Sequence, residues 1–79
     1  MKALAREVGR KNILVNAVAP GVIQTEMIKD LPVDKLLPYI PLHRVGRPEE
    51  VAGVVSFLCG PDGTYVHGQV VDVNGGLVI

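Results

Sequence analysis

The segment that most restricts the possible folds is Ile13-Leu14-Val15-Asn16-Ala17-Val18-Ala19, an almost continuous apolar run interrupted only by Asn16 and closed by Pro20-Gly21. A strand with one wet face alternates apolar and polar residues; a run without alternation belongs to a parallel sheet covered on both faces. Ile13 to Ala19 is therefore expected to form a buried strand. Pro20 has no amide donor and is expected to stop the ladder, while Gly21 can bring bare backbone close to a neighbour. In open α/β sheets ligands lie in the crevice beyond the carboxyl ends of the strands, which is where this corner falls. Thr25 adds a hydroxyl donor and acceptor to the same rim. A Pro-Gly pair taken alone is more often plain punctuation than a ligand site.

The rest of the chain organises around that strand. Lys2 to Gly9 places Leu4 and Val8 on one helical face, offers a Glu7–Lys11 pair, and ends at a glycine suited to a helix terminus. From Gln24 to Val45 the prolines Pro32, Pro38 and Pro41 are too closely spaced for a long helix. Asp34 is placed to cap a short turn through Leu37, so this stretch reads as an irregular flap. Pro48 suits a first helical turn, Glu49 and Glu50 suit its positive end, and Val51, Val54, Val55 and Leu58 recur at helical spacing. Pro48 to Leu58 is the firmest helix. Gly60-Pro61-Asp62-Gly63 ends it, and Gln69 to Val73 is a second apolar strand, bounded by Gly68 and Asn74-Gly75-Gly76. Strand, crossover and strand imply a parallel, right-handed α/β unit. The order is helix, strand, helical flap, helix, strand, with no internal repeat.

Several classes are disfavoured. Eight basic and eight acidic residues give zero formal charge. No basic cluster extends beyond Arg10-Lys11, so a nucleic-acid footprint is missing and a small helical DNA-binding domain on Arg47 to Leu58 ranks last. The single Cys59 has no internal partner and suits a reducing compartment. Lys2, Arg6 and Glu7 fall where a signal peptide needs apolar residues, and no run approaches a membrane span. These features read as cytoplasmic. His67 has no second His, Cys or carboxylate at metal spacing, so no metal site is expected. Asn16 reads as a satisfied amide tying neighbouring backbone together. Arg44 and Arg47 are expected to neutralise Glu49 and Glu50 rather than bind substrate.

Three blocks together carry a resemblance: Pro20-Gly21-Val22-Ile23-Gln24-Thr25, then Ile40-Pro41-Leu42-His43-Arg44-Val45-Gly46-Arg47-Pro48-Glu49-Glu50-Val51-Ala52, then Gly68-Gln69-Val70-Val71-Asp72-Val73-Asn74-Gly75-Gly76. In this order and spacing the chain resembles the C-terminal third of the short-chain dehydrogenase/reductase family, most closely its 3-oxoacyl-[acyl-carrier-protein] reductase branch. The resemblance implies the C-terminal portion of a Rossmann-like doubly wound parallel sheet, with residues 1–79 one segment of a single domain. It implies cofactor binding at Pro20, Gly21, Val22, Ile23 and Thr25. The Ile23 backbone would meet the nicotinamide carboxamide, and Thr25 the carboxamide or a neighbouring phosphate. The cofactor implied by this branch is NADP, with NAD the alternative. An acyl thioester, borne by acyl carrier protein, is the implied substrate. His43 departs from the branch, which commonly has glycine there.

Other family features are missing from the 79 residues: the Gly-rich dinucleotide loop, the Asn-Ala-Gly segment, the catalytic Ser and the Tyr-x-x-x-Lys pair. Tyr39 is followed four places on by His43 and Tyr65 by Gln69, so neither tyrosine supplies that pair. Met1 to Val8 resembles the tail of the helix that carries it. No catalytic residue is assigned, and the chain alone is expected to be inactive, with marginal or no stability of its own. At 48% apolar residues and a mean hydropathy of +0.33 it is apolar for its size, as if some of its surface were meant to be covered. Met27, Leu31, Leu36 and Tyr39 of the flap are candidate substrate contacts. The apolar end Leu77-Val78-Ile79, with the last strand and helix, suits the isologous contacts through which the resembled family forms oligomers. The competing reading is a noncatalytic module that docks on a full-length reductase.

Overall fold

The computed structural model describes residues 1–77, without the Met27 side chain. The readings of Met27 as a substrate contact and of Val78 and Ile79 as a covered end fall outside those residues. Helix α1 (Lys2–Gly9) leads to strand β1 (Ala17–Pro20), then to a flap holding the one-turn helix α2 (Val33–Leu36) between short 3-10 turns. Helix α3 (Pro48–Cys59) and a 3-10 turn at Pro61–Gly63 return the chain to strand β2 (Val70–Val73). The strands pair in parallel, Ala17 opposite Val70 through Pro20 opposite Val73. The expected order of elements is the one observed.

β1 is shorter than Ile13 to Ala19, and its partner explains why. Upstream of Ala17 the facing segment is turned out of strand conformation at Gly68, whose φ is +71°. One backbone bond survives there, from the Gly68 amide to the Val15 carbonyl at 2.8 Å, and side chains take over the rest. The Val15 amide donates to His67 Nδ1 at 3.2 Å. Asn16 Nδ2 donates to the Val66 carbonyl at 2.9 Å, and Asn16 Oδ1 accepts from the Gln69 amide at 3.0 Å. Asn16 is thus the satisfied amide its sequence context suggests. His67 Nε2 also reaches the Ala5 carbonyl. Since Nδ1 accepts from Val15, the ring proton sits on Nε2 and is donated to Ala5, tying α1 to the turn before β2.

α1 ends at Gly9 as expected, although the left-handed residue after it is Asn12, with φ +59°. What Gly9 provides is space, since a Cβ there would lie 2.9 Å from His67 Nε2. The Glu7–Lys11 pair is not among the ion pairs of the described residues, because α1 ends at Gly9 and Lys11 lies past its last turn. Asp34 does not cap the flap helix: α2 starts two residues earlier than that cap requires, with Pro32 at the cap and Asp34 in the first turn.

The chain covers itself poorly. Its accessible surface is 6095 Å², against ~4600 Å² for a compact monomer of this mass. The Cα radius of gyration is 15.1 Å, against about 12 Å for a compact domain of this length. Ala5 and Ile40 are the buried apolar residues among those described. No residue of α3 is buried, and Val55, expected on its core face, is 43% exposed. α3 packs on β1 and on the turn that ends it, too narrow a contact to cover both flanks of its apolar stripe. Nor are both faces of the parallel pair covered: Ile13 and Leu14 are exposed and Val15 to Ala19 only half-buried.

Candidate functional site

Parallel pairing fixes which way each peptide group of the Pro-Gly corner points. The Ala17 amide donates to the Gln69 carbonyl and the Gly21 amide to the Val73 carbonyl, both at 2.9 Å. Amide direction alternates along a strand, so the nitrogen of Pro20 faces away from β2. Its missing donor costs the ladder nothing, and the ladder runs one step past Pro20 instead of stopping at it. Gly21 does bring bare backbone close to a neighbour. That neighbour is Asn74: a Cβ on Gly21 would lie 2.7 Å from Asn74 Cβ and 2.9 Å from its Cα.

Beyond the corner, Ile23 forms a parallel bridge with Gly46. The Gly46 amide donates to the Val22 carbonyl and the Gln24 amide to the Gly46 carbonyl, each at 2.9 Å. In such a bridge the flanking residues supply both bonds, so the Ile23 N–H and C=O point to the opposite edge. One donor and one acceptor, side by side, are thereby turned outward just past the end of β1. Gly46 is held close enough that a Cβ on it would lie 2.8 Å from Ile23 Cδ1. Thr25 is extended (φ −138°, ψ 171°) and begins the turn Glu26–Ile28, its carbonyl accepting from the Ile28 amide at 3.1 Å. Its hydroxyl makes no capping bond and the residue is exposed, so the side chain is available at the rim.

The other wall is electrostatic. Arg44 binds Glu50 with both arms, Nη1 to Oε1 at 2.8 Å and Nη2 to Oε2 at 2.9 Å. The Arg47 amide donates to the same Oε1 at 2.9 Å. Both arginines converge on Glu50, with Arg47 Nε at 3.6 Å, rather than sharing Glu49. The Arg44 hydrogen bonds, reinforced by the Arg47 amide, hold the Glu50 carboxyl down at about 2, and Glu50 in turn raises the Arg44 guanidinium above its ordinary value. A satisfied pair of this kind has no free charge for a substrate.

A cleft of about 520 Å³ opens beyond the carboxyl ends of both strands, with Val22, Ile23, Leu42, Arg44 and the Asn74-Gly75-Gly76 turn in its walls. Of the five residues singled out in the sequence, Val22 and Ile23 line it; Pro20, Gly21 and Thr25 do not. The turn is locked by its own asparagine: Asn74 Oδ1 accepts from the Gly76 amide, and Asn74 Nδ2 donates to the Leu77 carbonyl, both at 2.9 Å. Gly75 and Gly76 have φ of +63° and +91°, and Cβ atoms there would press on Ile40 and Pro41. The Leu42 amide donates to the Gly75 carbonyl at 3.1 Å, fastening the end of the flap to this turn.

Asn74 and Gly46 stand in sequence as members of the resembling blocks, with no role of their own. The Asn-Gly-Gly triplet also marks a strand boundary, but two consecutive glycines after an asparagine are in addition the signal for left-handed backbone. Among the described residues no cluster of three or more His, Cys, Asp or Glu is placed to hold a metal ion, and no helix is long and apolar enough to cross a membrane.

Comparison with known proteins fits this architecture. A family model described as enoyl-(acyl carrier protein) reductase matches residues 1–78. The chain is 53% identical over 79 residues to the 3-oxoacyl-[acyl-carrier-protein] reductase FabG of Pseudomonas aeruginosa, covering 96% of this chain and 32% of that protein. It is 53% identical over 76 residues to carbonyl reductase family member 4 of Xenopus laevis, covering 96% and 31%. The crystal structure of a blue fluorescent protein from a metagenomic library, in complex with NADPH, superposes with a TM-score of 0.92 at 38% identity, covering 99% of this chain and 32% of that one. The chain spans about a third of the length of the curated relatives it matches. Its parallel pair, flap and helices are the C-terminal portion of a Rossmann-like doubly wound sheet, and the chain belongs to the short-chain dehydrogenase/reductase family.

Proposed function

We propose that residues 1–79 are the C-terminal segment of a single reductase domain that reduces a 3-oxoacyl thioester, carried on acyl carrier protein, with NADPH. Within that domain the chain supplies the nicotinamide-positioning corner, the substrate flap and an oligomer face. The observation that carries this reading is the outward pair of Ile23 peptide groups, released by the Gly46 bridge. A primary carboxamide has one carbonyl acceptor and an NH2 donor, and the adjacent N–H and C=O of Ile23 match them. NADPH, when bound, supplies the hydride to the substrate carbonyl. The Ile23 backbone and the Thr25 hydroxyl fix the ring's orientation, since transfer depends on holding the reacting atoms at near-attack distance. Pro20 and Gly21 act indirectly, Gly21 by letting the corner close onto Asn74.

The proton donor is not among these 79 residues. NADPH titrated into the 15N-labelled chain is expected to shift the Ile23 and Thr25 amide signals, and the chain alone to give no turnover of an acetoacetyl thioester. Unmoved Ile23 and Thr25 signals would refute the cofactor role, and measurable turnover would refute the division of labour.

The open surface supports a second reading. Val55 and Phe57 on α3 and Val70 on β2 are 43%, 48% and 55% exposed, which fits contacts to another copy or docking on a full-length reductase. Co-purification with an intact relative favours the docking module, and a soluble monomer under the same conditions counts against it.

A further inference from the structure

Glu50 does more than its place at the start of α3 requires. A helix N-terminus is served by one carboxylate oxygen on the capping amide, and Oε1 on the Arg47 N–H does that. Oε2 is spent elsewhere, on Arg44 Nη2, while Arg44 Nη1 bonds Oε1 and also donates to the Val45 carbonyl at 3.2 Å. The carboxylate therefore holds the chain on both sides of Gly46, at the Val45 carbonyl through Arg44 and at the Arg47 amide directly. Gly46 is in turn the residue that bonds Val22 and Gln24 and so sets the plane of the Ile23 peptide groups.

We infer that Glu50, with Arg44, is a positioning residue for the cofactor-facing Ile23 peptide groups, acting through Gly46. This rests on the assignment of Ile23 to the nicotinamide carboxamide. The contacts run in one line: the α3 terminus, the Glu50 carboxylate, the Arg44 to Arg47 segment, Gly46, and the backbone on either side of Ile23. A bidentate arginine–carboxylate pair has a fixed fork geometry, so it passes on orientation as well as attraction. Glu49, the neighbouring acid on the same helical turn, makes none of these bonds and provides an internal comparison.

The test uses the 79-residue chain and its Glu50→Gln, Arg44→Lys and Glu49→Gln variants. Glu50→Gln keeps an oxygen for the Arg47 amide but removes the charge that grips Arg44; Arg44→Lys keeps helix and carboxylate but loses the fork. Amide exchange is read at Gly46, Gln24 and along α3, and NADPH half-saturation at the Ile23 amide. Both Glu50→Gln and Arg44→Lys are expected to speed exchange at Gly46 and Gln24 by about tenfold, the loss of one net hydrogen bond. They should raise the NADPH concentration for half-saturation about fivefold, by loss of preorganisation, while α3 amides and Glu49→Gln stay at wild-type values. Faster exchange with unchanged NADPH dependence would reduce Glu50 to a structural clamp and overturn the inference. So would wild-type exchange in both variants. An unmodified chain whose Ile23 signal ignores NADPH would instead overturn the cofactor assignment, and this inference with it.

Discussion

Replacing Gly21 with alanine tests whether the corner is shaped by the chain's own packing. The added Cβ would lie 2.7 Å from Asn74 Cβ and 2.9 Å from Asn74 Cα, about 1 Å inside the ~3.5 to 4.0 Å at which carbon atoms rest. One of those atoms is backbone, so a rotamer change cannot relieve the overlap. The ends of β1 and β2 must part, and the bond that resists is Gly21 N–H to the Val73 carbonyl at 2.9 Å. Overpacking of this kind costs about 1 to 3 kcal/mol, and weakening that hydrogen bond adds about 0.5 to 1.5 kcal/mol. Alanine's stiffer unfolded chain offsets about 0.4 to 1 kcal/mol. The net expectation is a loss of about 1 to 3 kcal/mol, read as a lower urea midpoint at unchanged slope. Gly53→Ala is the control: it lies inside α3 with nothing within 4 Å of the added atom, so about 0.5 to 1 kcal/mol of stabilisation is expected. Equal or greater stability in Gly21→Ala would show that the approach to Asn74 does not govern the corner.

Other perturbations read other parts of the structure. Asn16→Ala removes the bonds to Val66 and Gln69 and should lower stability by about 1 to 3 kcal/mol in the same urea assay. His43 sits at φ +56°, which costs an L residue about 1 to 2 kcal/mol, partly regained in the glycine variant's looser unfolded state. His43→Gly should therefore raise Tm slightly, and a fall would contradict the strained backbone. Glu50 has a depressed folded pKa, so its contribution is complete above its ordinary carboxyl value and disappears as pH falls from about 4.5 to about 2. Tm is expected to drop across that window in the unmodified chain and to fall less in Glu50→Gln; identical acid profiles would remove the ion pair from solution.

What the sequence disclosed depended on how far each partner lay along the chain. α3 was legible because its signals are local: Pro48, Glu49 and Glu50 at the start, and valines at helical spacing behind them. The parallel pairing followed from strand, crossover and strand. Asn16 was legible because an amide in an apolar run has few other uses. The features misread or left unread have distant partners. The late start of β1 depends on His67 and Gly68, more than fifty residues away in sequence. Gly9 is small because of His67, and Gly21 because of Asn74. Pro20 stays in the ladder because of the parity of the pleat, which local pattern does not encode. The half-covered state of α3 and β1 follows from a two-stranded sheet, whereas the apolar run alone suggests cover on both faces.

That Ile23 offers its peptide groups to a nicotinamide ring is tested most directly by saturation-transfer NMR of NADPH with the unmodified chain. Saturation is expected on the nicotinamide-ring protons and much less on the adenine protons, because the Gly-rich dinucleotide loop does not occur in these 79 residues. Transfer confined to adenine, or no transfer to either ring, would contradict it.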